Sequence, residues 1–262
     1  MSKTQFMRSL AAASLLLTAA CASTNQNNPD EIHDPLEDIN RATHSFNQGV
    51  DKVLIRPFTA GYRAILPEAP RQGIANAMRN LREPWTFVND ILQFKFLRAG
   101  KTLGRFVINS TFGVGGLLKA SDSMGIEHHS EDLGQTFAVW GFGESPFIVL
   151  PFLGPSNGRD TIGLGAYIFL DPVTLGINEL EVKGLNLTRT GVDALTLRER
   201  NFETINGALD DPDSYELMRS AYRQYRRFEI FDGNPPQEDD DIFDDLEEDS
   251  EFETSEENAS GK

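Results

Sequence analysis

Between residues 34 and 110 the chain carries amphipathic helical stripes that are separated by prolines. The segment Asp34-Pro35-Leu36-Glu37 has Asp as an N-cap, Pro at the first helical position and Glu at the third, which is a typical helix start. Apolar residues then recur at intervals of three and four from Leu36 to Leu54. This spacing predicts an amphipathic helix of about 20 residues.

Similar patterns predict helices along most of the remaining chain. They cover residues 58–66, 69–81, 85–97, 103–109, 160–169, 173–187 and 188–209, and a last helix restarts at Asp211-Pro212. The glycine-rich segment 113–116 predicts a bend, and Phe147–Phe152 is the best strand candidate, although Pro151 weakens it. The predicted fold class is mostly α, a single domain of amphipathic helices with little or no β.

The chain has no run of 18 apolar residues, so we expect no helix that crosses a bilayer. It nevertheless contains 18 phenylalanines, a heavy apolar load for helices with polar faces. Two arrangements of those faces remain open. They pack together in an ordinary core, or they lie in a membrane interface without crossing it.

The N-terminus has the layout of a secretory signal over residues 1–20, with Lys3 and Arg8 ahead of a short apolar stretch. The only cysteine, Cys21, follows Leu17-Thr18-Ala19-Ala20 and resembles the acylated cysteine of a bacterial lipobox. The alternative is an ordinary signal followed by a free or buried thiol. We expect acylation at Cys21, and residues 21–33 then form a flexible tether.

Negative charge is concentrated at the C-terminal end of the chain. The chain has 24 Lys+Arg against 40 Asp+Glu, and thirteen of the acidic residues lie within 233–262 with a single lysine. Such a block predicts a disordered acidic tail, with docking on a partner as the less favoured reading. The acidic balance argues against nucleic acid as a partner. The folded domain is expected over residues 34–232.

Two patterns imitate catalytic or metal sites. Gly154-Pro155-Ser156-Asn157-Gly158 is a literal G-x-S-x-G, but no histidine follows Ser156, so a turn is favoured over a hydrolase nucleophile. His128-His129 lies in a polar stretch, and adjacent side chains diverge, so a solvated loop is favoured over a metal site. We expect no enzyme activity, no metal and no cofactor.

Arginines mark one further surface. Arg71, Arg79 and Arg82 are spaced by eight and three residues and therefore share roughly one helix face. Two interpretations remain open for this face: it meets phosphate head groups, or it is simply solvated.

Many short motifs resemble, in order, the VacJ/MlaA-type outer-membrane lipoproteins, and together they cover nearly all of residues 34–233. They are Asp34-Pro35-Leu36-Glu37, Asn40-Arg41, Phe46-Asn47, Arg56-Pro57, Gly61-Tyr62-Arg63, Asn80-Leu81-Arg82-Glu83-Pro84-Trp85, Val88-Asn89, Gly104-Arg105-Phe106, Ile108-Asn109-Ser110-Thr111, Glu131-Asp132-Leu133-Gly134-Gln135-Thr136, Trp140-Gly141, Leu150-Pro151-Phe152-Leu153-Gly154-Pro155, Arg159-Asp160, and Asp211-Pro212 through Tyr222 and Arg226.

The resemblance implies a ring-like helical protein in the inner leaflet of the Gram-negative outer membrane, lipid-anchored and facing the periplasm. It further implies association with a trimeric porin, and a polar channel that carries misplaced phospholipids from the outer leaflet to a soluble periplasmic lipid carrier. The expected result is maintenance of outer-membrane lipid asymmetry, without covalent chemistry. The alternative is a porin-associated structural scaffold without its own lipid path.

The polar residues of the matched motifs are candidates to line the channel: Asn109, Thr111, Gln135, Arg159 and Asp160. Side chains of these types also cap helices and tie them together, so the alternative role is structural.

Overall fold

The structure is a computed structural model and describes residues 34–182 and 184–236. The helices are α1 (Glu37–Val50), α2 (Arg56–Ile65), α3 (Glu68–Asn80), α4 (Glu83–Leu92), α5 (Phe96–Thr111), α6 (Leu133–Val139), α7 (Gly158–Leu170), α8 (Pro172–Glu179), α9 (Leu185–Arg200), α10 (Phe202–Asp210) and α11 (Ser214–Ile230). Strands β1 (Phe147–Leu150) and β2 (Gly154–Asn157) form an antiparallel hairpin. The predicted mostly α fold class with little β is therefore confirmed.

Several predicted features fall outside the described residues. They are the signal segment 1–20, Cys21, the tether 21–33 and, apart from residues 233–236, the acidic tail. Within the described residues, every helix is too short or too polar to span a bilayer, as the sequence predicts.

The helical run that starts with α1 continues past the end of the predicted stripe at Leu54. Asp34 Oδ1 accepts a hydrogen bond from the backbone N–H of Leu36 at 3.2 Å, which fits its predicted role at the helix start. After α1 the chain continues through a π-helical turn, Asp51–Ile55, directly into α2. Pro57 lies in the first turn of α2, and the wider turn before it accommodates a residue that has no backbone N–H to donate.

Helix breaks are where the sequence-based boundaries are wrong. The helix predicted over 85–97 ends at Leu92, because Phe94 adopts a left-handed conformation with a φ of 60°. The backbone N–H of Lys95 then bonds the carbonyl of Asp90 at 2.8 Å, which is the closure typical of a Schellman motif. The predicted helices 173–187 and 188–209 are likewise divided differently, at the end of α8 and before α10.

The predicted glycine bend after α5 is a close packing contact. Gly116 has a φ of 91°, and a Cβ there would lie 2.6 Å from the Cβ of Asn80 on α3. Any other residue would meet both a strained backbone and a clash. The bend therefore brings the segment after α5 against α3.

Neighbouring elements join through polar side chains as much as through apolar ones. α4 packs on α5, α6 on α7, and α9 on α2 and α3. The side-chain amide of Asn40 on α1 forms two hydrogen bonds with β1: it donates to the carbonyl of Phe147 at 3.0 Å and accepts from the backbone N–H of Val149 at 2.8 Å. A small apolar cluster of Phe147, Val149 and Tyr215 lies beside this contact.

Candidate functional site

Helix α1 turns its apolar stripe outward. Ile39 and Val53, the latter in the π turn that follows α1, are 65% and 81% exposed. Asn40, His44 and Asp51, on the other side of the same continuous helix, are all buried. The two faces that the sequence predicts are present, but the polar face is the buried one.

The same inversion extends through the described residues. Among them, 26 polar or charged residues are buried and only six apolar ones are, whereas 36 large apolar residues are exposed. Those that are at least 60% exposed are Ile39, Val53, Leu54, Phe58, Ile65, Phe94, Phe96, Leu97, Phe112, Val114, Leu118, Met124, Phe142, Phe152, Leu153, Phe169, Leu180 and Leu187. Soluble domains bury such side chains, and an exposed apolar surface of this extent marks a membrane or protein contact. Of the two arrangements that the stripes allow, the structure adopts the one without an ordinary apolar core.

The buried charges hold the helices together in pairs. A buried charge is stable only when it is paired and hydrogen-bonded. Three buried arginines each meet a buried carboxylate: Arg105 Nε lies 3.2 Å from Glu83, Arg189 Nη1 2.6 Å from Asp171, and Arg198 Nε 2.8 Å from Asp51.

One cluster joins α6, α7 and α11, and we call it the Arg226 junction; its members are Asp132, Asp160, Tyr222, Arg226 and Glu229. Arg226 donates to Asp132 at 2.7 Å, to Asp160 at 2.9 Å and to Glu229 at 2.7 Å. Tyr222 adds a hydrogen bond to Asp160 at 2.5 Å. Burial alone would raise the pKa of Asp132, but the charge and hydrogen bonds of Arg226 outweigh it and hold that pKa below its usual value.

A polar cleft of about 760 Å³ opens between α2 and α3 on one side and the α9–α10 corner on the other. That size suits a small-molecule ligand. Its lining includes Ala75, Leu118 and Phe202 among mostly polar side chains. The charged members are the cations Arg63, Arg71, Arg79, Lys119 and Arg200 and the carboxylates Glu68, Glu199 and Glu203.

Part of this charge is neutralised within the cleft. Arg71 hydrogen-bonds Glu199. Arg63 lies 3.1 Å from Glu203 and places its guanidinium 4.5 Å from the ring centroid of Phe202. These contacts tie α2 and α3 to the α9–α10 corner.

Arg79 and Arg200 differ from the other arginines of the cleft. Within the described part of the chain, neither forms a hydrogen bond or an ion pair with a carboxylate. Burial lowers the pKa of Arg79, and the positive charge of Arg200 lowers it further. The cleft therefore keeps two uncompensated cations that repel each other.

The five residues predicted to line a channel lie elsewhere, in two groups. Asn109 is buried at the end of α5 and accepts from the backbone N–H of Ser121 at 2.9 Å, while Thr111 is exposed and donates to the carbonyl of Val107 at 2.7 Å.

The other three lie where α6 meets α7, next to the Arg226 junction. Gln135 is buried, and its Oε1 has no hydrogen-bond partner in the described residues. Arg159 is buried with its Nη2 unpaired there, and Asp160 belongs to the junction itself. None of these three, nor Asn109 or Thr111, is among the residues of the cleft.

Of the three arginines predicted to share a face, the structure brings Arg71 and Arg79 into the cleft. It turns Arg82 toward Asp193, with its Nε 3.0 Å from the carboxylate. Arg200 was not singled out from the sequence. The signal that could have found it is the basic last turn of α9, which also holds Arg198.

The two adjacent histidines lie in a loop, as predicted, but they are half-buried and paired with carboxylates instead of solvated. His128 Nδ1 lies 3.1 Å from Glu83, and His129 Nε2 lies 3.1 Å from Asp90. Asp90, His129 and Glu131 bring one potential ligand atom each within 4.8 Å of the others.

Basic side chains already pair with the carboxylates of this cluster. Lys95 and Arg98 lie 3.2 Å and 3.1 Å from Glu131. Thr102 donates to Asp90 at 2.7 Å. A divalent cation would have to displace these partners, so the contacts describe an ion-pair network.

The G-x-S-x-G segment forms part of the hairpin. Ser156 lies on β2 opposite Ile148, and its hydroxyl is 3.0 Å from that of Thr161. A nucleophile elbow requires a turn from a strand of a mainly parallel sheet into a helix, with a histidine in reach. The predicted strand is present but ends at Leu150, and the segment predicted as a turn forms strand β2, with the hairpin turn before it at residues 151–153. The catalytic context is not found in the described residues.

The fold and the site together define a mostly helical protein whose described residues present apolar side chains outward, pair their buried charges and form a polar cleft. The chain belongs to the MlaA lipoprotein family, whose model matches residues 32–229. This match includes every element that forms the cleft and the Arg226 junction.

Individual relatives agree with that assignment. The chain is 34% identical over 212 residues to an uncharacterized protein of Rickettsia bellii, covering 79% of this chain and 81% of the relative. It is similar to the intermembrane phospholipid transport system lipoprotein MlaA of Haemophilus influenzae, with 27% identity over 88% of this chain and 92% of the relative. The corresponding Escherichia coli K12 protein is 29% identical over 81% and 84%.

A solved structure shows the same fold. It comes from work on the structural basis for maintenance of bacterial outer membrane lipid asymmetry. The TM-score is 0.65 at 26% identity, and the alignment covers 77% of this chain and all of the solved one.

Proposed function

We propose that this protein is an outer-membrane lipoprotein that removes mislocalised phospholipids from the outer leaflet and passes them toward a soluble periplasmic lipid carrier. The observation that carries this proposal is the inversion of the helices, with apolar faces outward and paired charges inside. Its family membership and the names of its relatives, intermembrane phospholipid transport system lipoproteins, support the same role. The role maintains lipid asymmetry and involves no catalytic step.

The membrane interface is the environment in which this surface is stable. Exposed Phe, Leu and Ile faces bury apolar area among acyl chains at about 25 cal/mol per Å². The helices need not cross the bilayer to gain this energy. In this proposal the segment 1–20 is removed, Cys21 carries the acyl chains, and the exposed apolar surface also provides the contact with a trimeric porin.

A lipid that changes leaflet needs a polar path for its head group, because an unpaired charge in hydrocarbon is costly. The cleft is the larger part of that path in our proposal. The five motif residues Asn109, Thr111, Gln135, Arg159 and Asp160 are proposed to extend it or to hold its walls. The unpaired polar atoms of Gln135 and Arg159 favour the first role for those two residues.

The experiment that tests the proposal measures phospholipid in the outer leaflet of a strain that lacks this protein and has no second asymmetry system. We expect surface phospholipid to rise on deletion, to fall on complementation with the wild type, and to stay high with Cys21→Ala. An unchanged level on deletion would contradict the transport role.

A porin-associated scaffold without a lipid path is the alternative, and the cleft separates the two functions. Gln72 is exposed at the cleft and bonds Glu68 one helical turn back, at 2.7 Å. Gln224 on α11 makes the matching bond to Ser220 at 2.9 Å, away from the cleft. If lipids pass through the cleft, Gln72→Trp blocks complementation and Gln224→Trp does not. A scaffold would tolerate both substitutions.

A further inference from the structure

The polar cleft has a charge that the composition of the chain does not predict. The whole chain has 40 acidic against 24 basic residues, but the cleft has five cations against three carboxylates. A positive cleft in an acidic protein attracts anions and concentrates them locally.

The excess is located at one place in the cleft. Arg71 and Arg63 are neutralised by Glu199 and Glu203. Lys119 is 3.9 Å from Asp122, an exposed and therefore weak pair. This leaves Arg79 and Arg200, which have no carboxylate partner in the described residues.

The five buried arginines of the described residues each lie within 3.5 Å of a carboxylate. Arg79, which is half-buried, and Arg200, which is exposed, have no such partner there. Arg79 is only half-exposed, and the acids nearest to it in electrostatic effect, Asp122 and Glu83, act at a distance without a direct contact. Two guanidinium groups facing one cleft repel each other unless an anion lies between them. A tetrahedral phosphate accepts from both, since guanidinium forms bidentate, charge-assisted hydrogen bonds with its oxygens.

We propose that Arg79 and Arg200 bind the phosphodiester of a phospholipid head group in this cleft. This inference rests on the proposed transport function and adds the residues that recognise the lipid.

The walls of the cleft suit a lipid better than a free ion. Leu118 and Phe202 line it beside the charged groups, and Leu118 is 60% exposed. These side chains can contact the glycerol and the first acyl carbons while the arginines hold the phosphate. The volume of about 760 Å³ far exceeds what an inorganic phosphate needs.

The test uses the purified full-length lipoprotein in a non-ionic detergent. Binding of dihexanoyl phosphatidylglycerol is measured by calorimetry for the wild type, Arg79→Glu, Arg200→Glu and the control Arg223→Glu. Arg223 is exposed on α11, outside the cleft, and only 4.0 Å from one carboxylate, that of Glu144. We expect both cleft variants to bind at least about tenfold more weakly, the scale of one lost charge-assisted contact, and the control to bind as the wild type does.

Two further probes identify the ligand. Dihexanoylglycerol lacks the phosphate, so its weak binding should not distinguish the variants. Inorganic phosphate should compete with the lipid only weakly. Competition as strong as that of the lipid would overturn the head-group assignment in favour of a free-phosphate site.

A misfolded variant cannot imitate the expected result. Arg79 and Arg200 have no direct ion pair to lose, so the thermal midpoints of both cleft variants should stay close to that of the wild type while lipid binding is lost. Wild-type binding by both cleft variants would overturn the inference and leave the transport function intact. Lost binding together with no rise of surface phospholipid in the deletion strain would instead support the anion site and contradict the transport function.

Discussion

The Arg226 junction and the polar cleft are both built from arginines and carboxylates, but they use them differently. In the junction one guanidinium contacts three carboxylates and is enclosed by α6, α7 and α11. In the cleft, Arg79 and Arg200 face open space without such partners. The difference shows how an inverted helical protein divides its polar residues: paired charges hold the fold, and unpaired charges are left for a ligand.

Removal of the central arginine should have the largest effect. Arg226→Ala leaves Asp132, Asp160 and Glu229 partly buried without their cation, and loss of one partner of a buried pair costs about 3–5 kcal/mol. The free energy of unfolding in detergent, measured with denaturant, checks this. The matched control Arg223→Ala on the same helix should change it by no more than about 0.5 kcal/mol. A similar small value for Arg226→Ala would show that the junction does not hold the fold.

A substitution at the close crossing of α6 and α7 should have the next largest effect on stability. A Cβ on Gly163 would lie 2.7 Å from the backbone nitrogen of Gly134, where α6 crosses α7. Gly163→Ala should therefore destabilise the protein by about 1–3 kcal/mol through overpacking.

Gly165 provides the matched control, because it lies on the same helix and a Cβ there meets nothing within 4 Å. Gly165→Ala should be neutral or stabilising by up to about 1 kcal/mol, since alanine loses less backbone entropy. Equal effects of the two substitutions in thermal melts would argue against the close crossing.

His128 should make the stability of the protein depend on pH. Burial lowers the pKa of His128, although the hydrogen bond to Glu83 opposes this, and Arg79 lowers it slightly further. The unfolded chain then takes up a proton near pH 6.5 while the folded protein does not, so stability is complete above that pH and falls as the pH approaches the folded pKa.

We expect the protein to lose stability as the pH falls below about 6.5, the pKa of histidine in the unfolded chain. Thermal midpoints between pH 7.5 and pH 5.5 measure it. His128→Gln keeps a donor for Glu83 and should reduce the slope of the thermal midpoint against pH. The slope that remains should come from His44, because burial also lowers the pKa of that residue. An unchanged slope would show that His128 does not contribute to the pH dependence of stability.

The smallest effect on stability is expected in the cleft. Arg79→Glu is attracted to Arg200 but repelled by Asp122 and Glu83, so the changes partly offset each other, and partly exposed charges contribute about 0–1 kcal/mol. Its unfolding free energy should therefore lie within about 1 kcal/mol of that of the wild type. A loss comparable to that of Arg226→Ala would mean that Arg79 is a structural residue and that the two regions do not differ.

Helical periodicity predicts the faces of these helices but not which face is buried. The stripe of α1 was correctly predicted, yet Ile39 is exposed and Asn40 buried. Spacing is the same for a helix that packs into an apolar core and one that packs through its polar side. Only the partners across the interface decide, and they come from distant parts of the chain, as the contact of Asn40 with β1 shows.

For a related reason, apolar periodicity does not predict local breaks in a helix. The break at Phe94 depends on a left-handed residue that carries no glycine signal, so the apolar spacing runs through it. The cleft could be predicted only in part. Arg71 and Arg79 were placed on one face, but Arg200 comes from a helix more than a hundred residues later, and its lack of a carboxylate partner is a property of the tertiary structure.

The most direct test of the division between structural and ligand-binding charges measures outer-leaflet phospholipid in cells that carry Arg79→Gln together with Arg200→Gln. An amine-reactive label that cannot cross the membrane reports the surface lipid, and immunoblots report the protein level. We expect surface phospholipid to rise to the level of the deletion strain while the protein remains as abundant and as stable as the wild type. Surface phospholipid at the wild-type level would contradict it.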